Sequence, residues 1–394
     1  MPEPEHSRAT RPLVIAHRGA SGERPEHTLA AYRLAIEQGA DFIEPDLVVT
    51  RDGVLVARHE NELSDSTDVA RHPEFAGRRT TRSVDGVTRT GWFSEDFTHA
   101  EIRRLRARER LPDLRPGSAA HDGREGIPSL AEIIALVRQA EADGRRVGIY
   151  PEIKHPTHFA HEGRRADGSS IGQSMPALLV EALQALDFTD PDRVFIQSFE
   201  LAGLVELAGR ILPGAGLSLP LVFLYGRLDH GADPGAFGQP RDLRFHAGRG
   251  ADHRALYPGL GDCVEGGLGP RTGYADLATP RVLAWLAGRV QAVGPWKDAI
   301  LMREAVSPTG RDPMSPPSRL TGAVHPLIAD ARAAGLQVHP YTLRVEPRHR
   351  VLDRDGACLD MRGETRRLVE LGATGLFTDH PGLTRTDLAA IGLP

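Results

Sequence analysis

Cysteine is nearly absent from this sequence, and so are the patterns that cysteine usually signals. The 394 residues include two cysteines, Cys263 and Cys358, with no CxxC pair and no cysteine–histidine cluster. We therefore expect neither a disulfide framework nor a cysteine-ligated zinc site. One long-range disulfide is the alternative, but two unpaired thiols are the preferred interpretation.

Long apolar runs and an excess of basic charge are also lacking. The formal net charge is −5 with histidine neutral. A nucleic-acid-binding protein would carry a basic stripe or domain, so we do not expect that class of partner. No segment has the length and apolar character of a membrane span, and the N-terminal residues show no signal peptide. The sequence as printed predicts a cytoplasmic protein, although a periplasmic or secreted chain that had lost its leader would look the same.

What the sequence does contain is an alternation of short apolar runs with longer segments of helical period. We count eight such runs, from LVIAH at residues 13–17 to GLFTDH at residues 375–380. A helix or a long loop follows each run, which is the order expected of a TIM-type (β/α)8 barrel in the α/β class. The rival fold, a doubly wound open sheet, normally carries a GxGxxG turn after its first strand, and that motif is absent.

The whole chain, residues 1–394, is expected to form a single domain. Residues 60–126 are polar and are predicted to form a small subdomain inserted after the second strand. In that region Thr98 and Glu101 make a capping box, which predicts a helix starting at EIRRLRARER. Residues 227–275 show little periodicity, and the proline-rich residues 307–322 are predicted to be a loop before a helix over residues 323–335.

Histidines at two predicted strand ends are candidates for proton transfer, because the active sites of barrels lie at the carboxyl ends of the strands. His17 and Arg18 end the first strand, and His59 ends the extended segment after the second. Two imidazoles suffice for one general acid and one general base, and an arginine can hold a phosphate oxygen. Purely structural histidines are the alternative, since the chain contains 17.

Charged residues at i and i+2 occur on two predicted strands. Glu44 and Asp46 lie on the second strand, and Glu152 and Lys154 on the third, so each pair points to one face. Carboxylates facing into a barrel are costly unless a cation joins them. Three carboxylates without thiols favour Ca²⁺ or Mg²⁺ over zinc. A simple surface pair of Glu152 with Lys154 is the alternative.

Later strand ends supply further candidates for substrate binding. Gln197 and Lys297 are predicted to bind substrate oxygens. An apolar wall is predicted from Phe199, Trp296 and Tyr341, although aromatic residues at such positions more often serve packing. Together with the histidines and carboxylates, this set suits hydrolysis of a phosphodiester.

The segment from residue 15 to residue 60 resembles the N-terminal signature of glycerophosphodiester phosphodiesterases. That signature combines HRG, a proline-Glu-x-Thr motif, an ExD pair and a closing histidine. The later motifs PEIKHP, IQSF, GPWK, HPYTLR and GLFTDHP resemble the branch that includes the periplasmic bacterial enzyme. The resemblance implies a TIM-type barrel with a small insertion after the second strand, and one divalent cation, Ca²⁺ or Mg²⁺.

The resemblance also implies a reaction and a set of roles. The reaction is hydrolysis of a small-molecule glycerophosphodiester to glycerol 3-phosphate and an alcohol. His17 and His59 match the acid/base pair, and Arg18 and Lys154 match phosphate or substrate contacts. The metal ligands are matched by Glu44, Asp46 and Glu152, and pocket residues by Gln197, Phe199 and Tyr341. This chain departs from the pattern by placing Pro45 inside the ExD pair and Glu60 after His59, where an aspartate is common.

Two alternatives to hydrolysis follow from the same residues. One is a phospholipase D-like lyase on the same barrel, which would release a cyclic phosphate. The other is a barrel that binds phosphodiesters without turning them over. The presence of every expected catalytic residue argues against the second.

Overall fold

Eight parallel strands form a closed barrel at the centre of the protein. The computed structural model describes residues 11–229, 235–306 and 317–393. The barrel strands are β1 (Leu13–His17), β2 (Phe42–Glu44, continued by Asp46–Val49), β3 (Gly148–Ile149, continued by Glu152–Ile153), β4 (Ile196–Ser198), β5 (Leu221–Tyr225), β6 (Ala292–Pro295), β7 (Gln337–Val338) and β8 (Gly375–Thr378). The predicted TIM-type barrel is confirmed.

The barrel closes because the last strand pairs with the first. Ala16 of β1 is in register with Thr378 of β8, and the pairing is parallel. The gap between β7 and β8 is bridged by the Phe377 amide, which donates to the carbonyl of Pro340 at 3.0 Å. Pro45 interrupts β2 because it has no amide hydrogen, but its carbonyl still accepts from Glu152 N at 2.9 Å.

Helices surround the barrel and occupy the connections between its strands. They are Leu29–Glu37, His99–Ile102, Pro116–Ala119, Leu130–Ala142, Met175–Ala185, Leu201–Glu206, Leu212–Gly214, Gly235–Gly238, Arg241–Ala247, His253–Leu256, Tyr274–Leu277, Pro280–Ala287, Lys297–Ile300, Leu327–Ala333, Met361–Glu370 and Pro381–Ala390. Side-chain caps begin the helices Leu29–Glu37 and Leu130–Ala142. The hydroxyl of Thr28 accepts from Ala31 N, and Ser129 forms a capping box with Glu132.

Two buried apolar clusters hold the barrel together. The smaller one fills the interior of the barrel and consists of Ile15, Phe42, Tyr150, Phe195, Val222, Leu224, Ala292 and Phe377. The larger one lies between the outer faces of the strands and the helices. Because successive side chains of a strand point to opposite faces, the inner cluster marks which residues of each strand face inward.

The polar insertion contains a β-hairpin whose turn reaches the barrel mouth. Its strands are Thr80–Val84 and Val87–Gly91, joined by a turn at Asp85 and Gly86. Both turn residues have positive φ, which suits a tight hairpin connection. The division into one domain with a subdomain at residues 60–126 stays a prediction.

Three local predictions were wrong. The helix capped by Thr98 ends at Ile102 after one turn, because the following chain pairs through Ala107 with Thr67. Residues 227–275, where no helix was predicted, contain the short helices Arg241–Ala247 and His253–Leu256. The predicted helix 323–335 is present as Leu327–Ala333, but its predicted start and the end of the predicted loop 307–322 overlap the strand Ser318–Val324, which pairs with Leu301–Ala305. Residues 307–316 lie outside the described residues.

Both cysteines are free, as preferred from their spacing. Among the described residues, no helix combines the length and apolar character needed to cross a membrane.

Candidate active site

The carboxyl ends of the barrel strands surround a cavity of about 620 Å³. Eleven of the predicted site residues line it: His17, Arg18, Glu44, His59, Glu152, Lys154, Gln197, Phe199, Trp296, Lys297 and Tyr341. Asp46, the remaining one, lies directly beside them, since its carboxylate contacts Arg18 and Lys154. The structure therefore brings the whole predicted set together.

Strand alternation explains why these side chains converge. Ile15 of β1 packs in the barrel interior, so His17 two residues later faces the same side at the strand end. The same step leads from Phe42 to Glu44 and from Tyr150 to Glu152. The step from Phe195 to Gln197 on β4 is the same, so each of the first four strands delivers a polar residue to the cavity.

Three buried carboxylates form the centre of the site. Glu44, Asp46 and Glu152 each offer an oxygen, and these oxygens lie within 4.8 Å of one another. Each residue is at most 5% exposed. One oxygen of Asp46, Oδ1, has no hydrogen bond within the described part of the chain, although Lys154 Nζ lies 3.3 Å away. An all-oxygen donor set with an unsatisfied buried atom fits a hard divalent cation.

The carboxylates strongly perturb one another's titration. Burial, together with the charges of Asp46 and Glu152, holds the pKa of Glu44 well above its usual range. Burial also raises the pKa of Glu152 to about 8. Burial acts in the same direction on Asp46, but Lys154 and Arg18 outweigh it and hold the Asp46 pKa well below its usual range. Three such groups crowded together are costly unless a cation compensates them.

The cationic residues Arg18 and Lys154 flank the carboxylates. Arg18 has a positive φ of 61°, and its amide donates to Glu44 Oε2 at 2.9 Å. Its guanidinium donates to Glu26 Oε2 at 2.9 Å. The Nζ of Lys154 lies 2.8 Å from Glu152 Oε1. Both cations line the cavity, where they can also contact an anion.

His17 is held by a carboxylate from the opposite end of the chain. Its Nδ1 lies 2.6 Å from Oδ1 of Asp379, which follows β8 and is fully buried. Asp379 also accepts from Arg344 at 2.8 Å and pairs with Arg115. Burial and the nearby charge of Arg18 lower the pKa of His17 to about 4. An ionised Asp379 favours the tautomer of His17 with hydrogen on Nδ1, so Nε2 is an acceptor.

His59 lies beside Glu60 on the other side of the carboxylates. Its Nδ1 is 3.1 Å from Glu60 Oε1, and Glu60 in turn pairs with Arg89 of the inserted hairpin at 3.2 Å. Burial, Arg18 and Lys154 lower the pKa of His59 to about 3. The glutamate at position 60 thus contacts the histidine as the more usual aspartate could.

A further set of residues positions Asp46, and the sequence did not reveal it. His27 Nε2 lies 2.9 Å from Asp46 Oδ2, and its Nδ1 lies 2.8 Å from the hydroxyl of Tyr32. Arg58, with no exposed surface, donates to the carbonyls of Glu26 at 3.0 Å and His27 at 2.8 Å. The proline-Glu-x-Thr motif contains Glu26 and His27, so the motif marked the segment without indicating these contacts.

Aromatic residues form the other side of the cavity. The hydroxyl of Tyr341 donates to the carbonyl of Tyr225 at 2.7 Å, and its ring packs edge-to-face on Phe199. Gln197 donates to Glu44 Oε1 at 3.0 Å. Lys297, expected to bind substrate oxygens, instead pairs with Glu364 at 2.8 Å and with Asp298 at 3.1 Å.

Fold and site together define an α/β-barrel protein with clustered carboxylates and two histidines at the carboxyl ends of its strands. The profile of the glycerophosphoryl diester phosphodiesterase family matches residues 17–250 and 287–383. The chain belongs to this family.

Individual relatives agree with this assignment. Glycerophosphodiester phosphodiesterase GDPD6 of Arabidopsis thaliana is 31% identical over 379 residues, which is 95% of this chain and 85% of the relative. A glycerophosphodiester phosphodiesterase of Haemophilus influenzae is 27% identical over 94% of this chain and 87% of its own.

Solved structures share the fold. An Oleispira antarctica phosphodiesterase in complex with the product sn-glycerol-3-phosphate has a TM-score of 0.52 and 18% identity, and the match covers 96% of this chain and 97% of that one. A structure from Silicibacter pomeroyi has a TM-score of 0.57 and 22% identity, with 98% and 95% covered.

Proposed function

We propose that this protein is a metal-dependent glycerophosphodiester phosphodiesterase, which hydrolyses its substrate to glycerol 3-phosphate and an alcohol. One observation carries the proposal. Three buried carboxylates, two histidines, an arginine and a lysine converge at one cavity at the carboxyl ends of the barrel strands. The names of the relatives, and the product held by the Oleispira antarctica protein, support the same reaction.

Glu44, Asp46 and Glu152 would hold one divalent cation, Ca²⁺ or Mg²⁺. The donor set consists of carboxylate oxygens, which both ions prefer. A bound cation would offset the negative charge that develops on the phosphoryl oxygens. Gln197 donates to Glu44, and His27 to Asp46, so we propose that these two residues orient the ligands.

His17 is the better placed general base. Its Nδ1 is engaged by Asp379, which leaves Nε2 to accept a proton from the attacking hydroxyl. His59 then protonates the departing alkoxide. A phosphate between Arg18 and Lys154 would offset the two charges that lower the His59 pKa, and so favour its protonated form.

Arg18 and Lys154 would bind the phosphoryl oxygens, because both are buried cations that line the cavity beside the carboxylates. The remaining predicted pocket residues, Phe199, Trp296 and Tyr341, would contact the organic part of the substrate.

Turnover of glycerophosphodiesters by the wild type and two histidine variants tests the proposal. We expect hydrolysis in Ca²⁺ or Mg²⁺ that stops when a chelator is added. His17→Ala and His59→Ala should each lower kcat by about 10²- to 10⁴-fold, since each removes a proton carrier. His121→Ala, outside the cavity, is the control and should keep wild-type turnover.

The products separate hydrolysis from its alternatives. ³¹P NMR should show glycerol 3-phosphate as the phosphorus product. A cyclic phosphate would instead establish a lyase. Binding without turnover in either cation, or near-wild-type kcat in both histidine variants, would overturn the assignment.

A further inference from the structure

Five aromatic rings line one side of the cavity, and we call them the aromatic wall. They belong to Phe199, Phe237, Tyr274, Trp296 and Tyr341. Phe199 meets Tyr341 at an interplanar angle of 87° and Tyr274 at 73°. Phe237 meets Trp296 at 74°. Near-perpendicular rings form the sides of a box, whereas a stacked cluster would present one flat face.

The tyrosine hydroxyls of the aromatic wall already donate hydrogen bonds to backbone carbonyls. Tyr274 donates to the carbonyl of Phe199 at 3.0 Å, and Tyr341 donates to the carbonyl of Tyr225 at 2.7 Å. A polyol or a primary ammonium group must replace its water hydrogen bonds when it is buried. The wall supplies few partners for such groups. A quaternary ammonium group needs none, and it is attracted to ring faces.

The cations nearest the wall do not oppose a further positive charge strongly, because carboxylates neutralise them. Lys297, next to Trp296, pairs with Glu364 and Asp298. Lys154 pairs with Glu152 and Asp46.

Arg89, Arg241 and Arg344 also line the cavity, and each of them pairs with a carboxylate. Arg244 and Glu200 line it as well. Arg244 is exposed, so solvent and salt screen its charge. The carboxyl group of Glu200 is buried at the cavity surface.

The aromatic wall also lies within reach of the phosphate-binding residues. Lys154 Nζ is 5.9 Å from the ring centre of Phe199 and 2.8 Å from Glu152 Oε1. An alcohol attached to a phosphorus held at Lys154 therefore extends towards the rings.

We propose that the aromatic wall binds a trimethylammonium group, so that the preferred substrates are glycerophosphodiesters of choline-like alcohols. This inference rests on the proposed function and adds the class of alcohol. The rings attract the cation by their quadrupoles, and no hydrogen bond to the alcohol is required.

Three substrates that differ only in the alcohol test this specificity. They are the glycerophosphodiesters of choline, of its uncharged isostere 3,3-dimethylbutanol, and of glycerol. We expect the wild-type kcat/KM for the choline diester to exceed that for the isostere by about 5- to 30-fold, the range of a desolvated cation–π contact. This comparison needs no variant.

Trp296→Leu should bring the ratio of kcat/KM for the choline diester to that for its isostere close to one, while Trp296→Phe should retain part of the wild-type ratio. Trp285→Leu is the matched control, because Trp285 lies outside the cavity and donates to the carbonyl of Pro258. This variant should keep the wild-type preference for the choline diester.

The outcomes separate the inference from the proposed function. Equal kcat/KM for choline and its isostere would overturn cation recognition. An equal loss of kcat/KM on all three substrates in Trp296→Leu would place the glycerol that they share at the aromatic wall. That result would also overturn cation recognition. Absence of turnover with every diester, with Ca²⁺ and with Mg²⁺, would overturn the proposed function itself.

Discussion

Arg58 is a buried residue that does not line the cavity but supports the segment next to the carboxylates. It donates to the carbonyl oxygens of Ala57, Ser66, Glu26 and His27. No carboxylate pairs with it among the described residues. Burial accordingly lowers its pKa to about 10. The last two carbonyls belong to the segment whose histidine contacts Asp46, so Arg58 holds that segment against a proposed metal ligand.

Arg58→Met should lower both stability and metal affinity. Methionine fills similar space but removes the side-chain donor of four carbonyls. The Ser66 carbonyl keeps the Arg108 amide at 2.9 Å, but the carbonyls of Glu26 and His27 lose a donor, which costs about 3 kcal/mol of unfolding free energy. Urea denaturation measures the first effect, and calorimetric titration with Ca²⁺ or Mg²⁺ the second. The control is Arg193→Met, since Arg193 is also buried but donates to Val147 and Glu141 away from the site. Unchanged metal affinity in Arg58→Met would show that Arg58 stabilises the fold without positioning Asp46.

Much of the site was predictable at this scale, because alternation along a strand is a local property. Glu44 with Asp46, and Glu152 with Lys154, follow directly from i, i+2 spacing. The partners of Asp379 and Arg58 were not predictable. Asp379 belongs to the last apolar run of the sequence, but its contact with His17 spans 362 positions and depends on barrel closure. The acceptors of Arg58 are backbone atoms, which leave no mark in a sequence.

Among the elements, the inserted hairpin Thr80–Gly91 bears on the cavity most directly. Its turn residue Asp85 lies 2.5 Å from Nδ1 of His155, which follows β3. A second link joins Arg89 to Glu60. Burial opposes the charge on His155, but Asp85 outweighs it and raises the His155 pKa above its usual value. The hairpin is therefore attached to the barrel partly by a contact that protonation of His155 strengthens.

The attachment of the hairpin should weaken as pH rises. Because the His155 pKa is raised in the folded protein, its contribution is complete below the unfolded value of about 6.5 and is lost as pH rises through the folded value. Amide hydrogen-exchange protection factors for residues 80–91 should therefore fall between pH 6 and pH 9. Asp85→Asn should remove this dependence, while protection of the helix Leu130–Ala142 should stay constant. A wild-type hairpin with constant protection factors would contradict the expectation.

Elements with a strong local signal were predicted well, and those defined by distant pairing were not. The helices Leu29–Glu37 and Leu130–Ala142 carry caps and an apolar stripe. The strand Ser318–Val324 follows a proline-rich segment, and it forms by pairing with Leu301–Ala305, which no local pattern indicates. The helix Arg241–Ala247 lacks a side-chain cap, which explains why it was missed.

For the whole molecule, the carboxylate cluster means that stability depends on what is bound. Without a cation, three buried acids crowd one place, and this arrangement costs free energy. A cation that binds only the folded state adds about 2.7 kcal/mol at a hundred times its Kd.

Thermal unfolding of the wild type and Glu44→Gln checks this dependence. The wild-type Tm should rise with Ca²⁺ or Mg²⁺ and fall with chelator, whereas Glu44→Gln should not respond. In chelator the variant should be at least as stable as the wild type, because one of the three crowded buried acids is gone. Glu141→Gln, at an exposed carboxylate, should respond as the wild type does. A lower Tm of Glu44→Gln in chelator would mean that the cluster is stabilising without metal.

The pairing of β1 with β8, which closes the barrel, has a consequence for folding during synthesis. The strand β1 precedes β8 in the chain, so both histidines and the carboxylates of Glu44, Asp46 and Glu152 are translated long before Asp379. Until β8 docks beside β1, His17 lacks the carboxylate that sets its tautomer. Under the proposed mechanism, a ribosome-bound or prematurely terminated chain would therefore be inert, and turnover would report only finished, fully closed molecules.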